Sequence, residues 1–248
     1  MTDRPTVLLP VRVLERESIP DGIPELLANA HVVLLGYHVV PDQTATGQAS
    51  MQFEDRARRR LETFEELFAD AGATVETQLV FTHHGQATIH RTIREHDCHA
   101  ALIPNATKPP EDVLVAVRGT VGLDRVARVV GGLFADTEVE LTLYHVLEDG
   151  ETEADARTLL DGLADRLVDE GVGADEIDVR VTDRRDRRAA IAEATDEFDA
   201  VVLGESDPSV ATFVFGMRAQ QIAERFLGPV FVVQRERPTD AESGESGE

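Results

Sequence analysis

VLLPVR at residues 7–12 and VLVAVR at residues 113–118 are nearly one stretch written twice, and the pair decides the fold. Each is a short β-branched run with apolar residues at consecutive positions. That is the pattern of a strand covered on both faces, as in a parallel sheet. Working outward, Tyr37-His38-Val39 follows the first run and Tyr144-His145-Val146 the second. Farther on, ATIHRTIREHDCHAALIP (87–104) resembles AAIAEATDEFDAVVLG (189–204), with two extra residues in the first copy. Matched landmarks in one order imply two diverged copies of a single unit.

Between the landmarks, short apolar runs alternate with longer amphipathic ones, the signature of an α/β fold. The first copy predicts strands at 6–11, 31–40, 74–82 and 99–103, with helices near 21–29, 50–71 and 86–96. The 50–71 helix is the clearest: Phe53, Ala57, Leu61, Phe64, Leu67 and Phe68 recur at helical steps, and Gly72 stands at its C-cap. The second copy predicts strands at 112–117, 138–146, 176–182, 199–204 and 229–234, with helices at 121–135, 151–170, 187–197 and 212–227. After its fourth strand the first copy runs through the Pro-rich segment 104–110 straight into the second. It therefore lacks the last helix and strand. The expected domains are 1–108 and 109–236, followed by a disordered acidic tail at 237–248. An incomplete first copy leaves a sheet edge open, and strand 229–234 is expected to join the two copies, or two chains, there.

Charge excludes several functions. The chain carries 47 Asp and Glu against 24 Lys and Arg, a net charge of −23, with Lys108 as the single lysine. Such a carboxylate-rich, lysine-poor surface predicts a salt-adapted, halophilic protein of the cytoplasm. It offers no basic face to nucleic acid, whose binding salt weakens steeply. No run of 18 apolar residues suggests a membrane-embedded segment, and the N-terminus does not read as a signal peptide. One cysteine, Cys98, forms no internal disulfide.

The ordered set of motifs resembles the universal stress protein family. The residues that carry the resemblance are VAVRGT (115–120), the two His-Val strand ends (38–39 and 145–146), DAVVLG (199–204), GESDPSVATFVFGMRAQQIAERF (204–226) and Gly-Pro-Val-Phe-Val-Val (228–233). The resemblance implies two tandem flavodoxin-like or Rossmann-like (adenine nucleotide alpha hydrolase-like) parallel-sheet domains. It also implies dimerisation, and a division of members into nucleotide binders and non-binders. In binders a Gly-x2-Gly-x9-Gly-Ser/Thr loop wraps phosphate with backbone N–H groups, at the carboxyl ends of the strands.

This sequence departs from that loop. Gly204 is present, but Asp207 stands at the second glycine. Gly216 falls one residue early for the third, and Met217 replaces the hydroxyl residue. Binders carry Asp after the first strand, where this chain has Arg12 and Arg118; in the first copy Pro104 matches Gly204 and no loop follows. Arg118, Gly119, Thr120, Val146, Gly204 and Gly216 are the candidate nucleotide contacts, with adenine near Val146 and phosphates near Gly204 and Gly216.

Other constellations point to no chemistry. Arg184, Arg185, Arg187 and Arg188 form one basic knot in an acidic chain, expected on the same sheet edge as Arg118 and paired with local carboxylates. Five histidines fall at 83–99, but the helix between His84 and His96 separates its ends by about 16 Å, too far for one metal. No nucleophile elbow, zinc-protease or Walker motif occurs. The sequence therefore predicts a non-enzymatic regulator or stress-response protein without cofactor. It would act through a protein partner, such as a transporter, or as a homodimer. The alternative is an ATP- or AMP-binding member using the second copy's cleft.

Overall fold

The computed structural model describes residues 4–15, 17–105, 109–119, 122–184, 187–204 and 228–234. In chain order the first half runs β1 (Thr6–Arg12), α1 (Ile23–Leu26), β2 (His31–Val39), α2 (Thr46–Ala71), β3 (Thr74–Thr82), α3 (Gly85–Glu95) and β4 (Ala100–Ile103). The second half runs β5 (Asp112–Ala116), α4 (Leu123–Phe134), β6 (Glu140–Val146), α5 (Glu153–Asp169), β7 (Ile177–Thr182), α6 (Arg187–Ala194), β8 (Ala200–Gly204) and β9 (Val230–Val233). The expected helix at 212–227 lies outside the described residues.

Local chemistry sets these elements. The apolar stripe of α2 buries Ala57, Leu61, Phe64 and Phe68. The helix stops at Gly72, whose φ of 105° permits the left-handed turn that returns Ala73 N–H to the Phe68 carbonyl at 3.0 Å. It starts at Thr46, four residues before the expected start. The expected 21–29 helix shrinks to one turn, entered through left-handed Gly22 (φ 85°). The expected 187–197 helix ends at Ala194 and continues as a 3₁₀ turn, Thr195–Glu197. At α5, Thr152 accepts from Asp155 N–H while the Asp155 carboxylate accepts from Thr152 N–H, a reciprocal capping box.

The strands form one sheet in the order β3-β2-β1-β4-β9-β8-β5-β6-β7. Every neighbouring pair is parallel except β4–β9, which is antiparallel. The edge left by the incomplete first half is thus filled from within the chain: β9 sets Ala100 opposite Val233 and Ile103 opposite Val230, while pairing with β8 on its other side. Within each half the order is the same. The strand that breaks the parallel run also fixes a polarity: the carboxyl ends of β1, β2 and β3 lie on one edge of the sheet, and those of β5, β6, β7 and β8 on the opposite edge.

The two faces differ. On one, a single apolar cluster spans both halves, from Val7, Leu34 and Phe68 to Phe231, Val129 and Leu160. On the other, two separate clusters lie under α3 and α6, around Leu35 and Ile89 in the first half and Tyr144 and Ala190 in the second. Helix α4 fastens the shared side. A Cβ on Gly132 would lie 2.5 Å from Pro5 Cδ, so only glycine allows this approach to the start of β1. Arg125 of α4, itself buried, reaches Asp97 Oδ1 at 3.1 Å and the Cys98 carbonyl at 3.3 Å in the first half.

Candidate functional site

In an open parallel sheet, ligands bind beyond the carboxyl ends of the strands, where the connections diverge to either side. In the second half this point lies between β5 and β8, because α4 leads from β5 to β6 on one side and α6 leads back to β8 on the other. Gly204 ends β8 there, and Arg118 and Gly119 follow β5. Gly119 has φ 61°, and a Cβ on it would meet nothing within 4 Å. Val146 ends β6 but is only 2% exposed, packed in the cluster with Tyr144, Ala190 and Leu203. Thr120 and Gly216, with Asp207 and Met217, lie outside the described residues.

Arg118 is engaged by the chain itself: its Nε donates to the Glu148 carboxylate. Glu148 belongs to the loop between β6 and α5, and a buried histidine organises that loop. The side chain of His145 is 0% exposed. Its Nδ1 lies 3.1 Å from the Val117 carbonyl and its Nε2 lies 2.8 Å from Glu151 Oε2. Glu148 N–H also donates to Glu151 Oε2, at 2.9 Å, and Leu147 N–H donates to the Thr182 carbonyl at 2.9 Å. Burial pushes the Glu151 carboxyl up, but the bonds from His145 and Glu148 N–H outweigh it and hold the group below the ordinary carboxylate range. The sequence marks His145 only as one of two His-Val strand ends. It does not show the partners, whose only trace is the acidic run Glu148-Asp149-Gly150-Glu151 after the strand.

The corresponding place in the first half is built differently, and register shows why. At their amino ends the halves start alike: His31 N–H meets the Pro5 carbonyl at 2.9 Å, and Glu140 N–H meets that of Glu111 at 2.8 Å. Val7 lies beside Ala100 and Val113 beside Ala200, so Arg12 corresponds to Arg118 and Pro104 to Gly204. Yet Tyr37 lies opposite Arg12, whereas Tyr144 lies opposite Ala116. The Tyr-His-Val match read from the sequence is therefore displaced by two residues in space, because β2 is two residues longer than β6. His145 corresponds in depth to Gly36. A Cβ on Gly36 would lie 2.7 Å from Leu61 Cδ1 and 2.8 Å from Val13 Cγ1, so apolar groups fill the space that His145 takes in the other half. His38 stands farther out, edge-on to Phe53 and Phe81 at 6.2 and 6.1 Å.

Arg12 is again held by the chain: Nε donates to Tyr37 Oη at 3.1 Å, one terminal nitrogen reaches Glu15 at 3.3 Å, and the backbone N–H donates to Glu17 Oε2 at 2.6 Å. Of the basic knot, Arg184 follows β7 on the same sheet edge as Arg118 and pairs with Glu193 at 2.5 Å. Arg185 lies outside the described residues, as do the side chains of Arg187 and Arg188. The histidines of 83–99 disperse. His83 Nδ1 sits 3.0 Å from the Val40 carbonyl, His96 Nδ1 sits 3.3 Å from Glu76, and His99 Nδ1 accepts from Thr6 N–H at 2.9 Å. Among the described residues no three His, Cys, Asp or Glu side chains are placed to hold a metal, and no helix is long and apolar enough to cross a membrane.

No protein-family model matches the chain, and no curated protein matches its sequence. Solved structures do match. A universal stress protein from Archaeoglobus fulgidus DSM 4304 is 18% identical, with 93% of this chain and 96% of that one covered and a TM-score of 0.62. A putative universal stress protein from Pseudomonas aeruginosa UCBPP-PA14 is 12% identical, with 94% of each chain covered and a TM-score of 0.50. A universal stress protein from Archaeoglobus fulgidus in complex with dAMP is 20% identical over 49% of this chain and 96% of its own, with a TM-score of 0.33. The full-length matches show that the chain has the universal stress protein fold.

Proposed function

We propose that the chain is a non-enzymatic regulator or stress-response protein of the universal stress type, acting by contact with a protein partner, such as a transporter, or with a second copy of itself. One observation carries the reading. In both halves the arginine at or just past the end of the first strand engages a carboxylate of its own chain, Arg12 with Glu15 and Arg118 with Glu148. A phosphate group approaching either edge meets a fixed negative charge beside the cation that would receive it. The opposite polarity of the two edges keeps Arg12 and Arg118 from combining into one anion site. The division at 1–108 and 109–236, the cytoplasmic setting and the salt adaptation belong to the same reading. The last rests on the single lysine and the 47 carboxylates.

A second reading has its own support: Gly204 at the divergence point and the open, left-handed Gly119 favour an ATP or AMP site formed with Arg118, Thr120, Val146 and Gly216. Thermal unfolding with ATP, AMP and cyclic AMP at molar salt separates the two. A ligand at a hundred times its dissociation constant stabilises the folded state by about 2.7 kcal/mol, a readily measured shift. The expected result is no saturable shift. A saturable shift that is lost in Gly216→Leu would replace the contact reading with the nucleotide reading.

A further inference from the structure

The bonding of His145 has a consequence for its charge. A carbonyl oxygen only accepts hydrogen bonds, and so does an ionised carboxylate. Nδ1 faces the Val117 carbonyl at 3.1 Å, and Nε2 faces Glu151 at 2.8 Å. A neutral imidazole carries one N–H and serves only one of these partners. The other would be left as an acceptor facing an acceptor in a buried site, an arrangement that costs free energy. The extra proton therefore sits on the ring or on Glu151. The same Glu151 oxygen accepts from Glu148 N–H at 2.9 Å, which favours the ionised carboxylate. The ring is the place for the proton.

The ring also occupies a mechanical position. It ties the end of β5, through the Val117 carbonyl, to Glu151 just before α5. Glu151 in turn holds the backbone of Glu148, and the Glu148 side chain lands on Arg118, the residue after Val117. The ties form a closed circuit: β5, His145, Glu151, Glu148 and back to β5.

We propose that His145 is a buried imidazolium that, with Glu151, latches the loop 147–151 so that Glu148 covers Arg118 and the second-half cleft rejects anions. His145 and Glu151 are positioning residues, and Glu148 determines specificity. Among the described residues the first half has no such latch, since Gly36 stands at the depth of His145. The proposal rests on the contact reading above, because it supplies the reason that phosphate is refused.

Two measurements on the full chain test it. The first is the side-chain 1H–15N spectrum of histidine-labelled protein at pH 7. The expected result is two protonated ring nitrogens for His145, reverting to one in Glu151→Gln. A single protonated nitrogen in the unaltered protein overturns the latch, so the test holds even if Glu151→Gln fails to fold. The second is calorimetric titration with pyrophosphate, at the lowest salt that keeps the protein folded, comparing the unaltered protein with Glu148→Gln. Affinity at least tenfold higher in Glu148→Gln is expected. Equal affinity, with the ring doubly protonated, overturns the positioning role. Saturable binding of ATP by the unaltered protein would instead overturn the contact reading, while the nitrogen spectrum judges the buried charge independently.

Discussion

Cys98 lies in the turn that enters β4, with Asp97 on one side and the buried Arg125 reaching across from the second half. Burial pushes its thiol up, the Asp97 charge adds to this, and Arg125 offsets part of it, leaving the pKa at about 12. The nucleophilic form is the thiolate, so at pH 8 this cysteine is held inert by both charge state and access. Iodoacetamide is expected to leave the native protein unlabelled at pH 8 and to label it fully in denaturant. Native labelling at the rate of an exposed thiol would contradict the burial. At this scale the sequence was partly readable. It marks Cys98 as the single cysteine, but nothing in it reveals that an arginine 27 positions later covers that turn. Residue identity also misleads: Tyr37-His38-Val39 and Tyr144-His145-Val146 match as letters, yet the two triplets sit at different depths because only pairing register assigns depth.

At the scale of elements, α5 shows how a helix is started from its own sequence. Thr152 and Asp155 exchange bonds across the first turn, with Asp155 N–H to Thr152 Oγ1 at 3.2 Å and Thr152 N–H to Asp155 Oδ2 at 3.1 Å. Replacing a threonine cap by alanine costs about 1 kcal/mol, and Thr152→Ala is expected to lose that much in urea unfolding near neutral pH. No loss would contradict the cap. The bonds from Thr152 hold the Asp155 carboxyl below its ordinary range. A group whose pKa is depressed on folding contributes above its unfolded value and loses that contribution as pH falls through the folded one. The gap between Thr152→Ala and the unaltered protein should therefore narrow in acid. Long periodic elements such as α2, and stops such as Gly72, were legible because local chemistry alone sets them. The one-turn α1 was not, and β6 starts at Glu140, two residues after its expected start.

For the whole molecule, β9 is decisive. It lies between β4 of the first half and β8 of the second, antiparallel to one and parallel to the other. The missing strand of the first copy was legible in the Pro-rich segment 104–110, and so was a joining role for 229–234. That the partner edge belongs to the same chain was not, since a strand pairs equally well within or between chains. Phe231 is fully buried in the cluster shared by both halves, and cutting such a side chain to alanine costs about 3–5 kcal/mol. The central claim, that one strand makes two halves of like strand order a single folding unit, is tested most directly by backbone hydrogen exchange in Phe231→Ala. The account predicts that slow amides in β1 and β2 and in β5 and β6 lose protection together and by the same factor. Loss confined to β5 and β6, with β1 and β2 as protected as before, would contradict it.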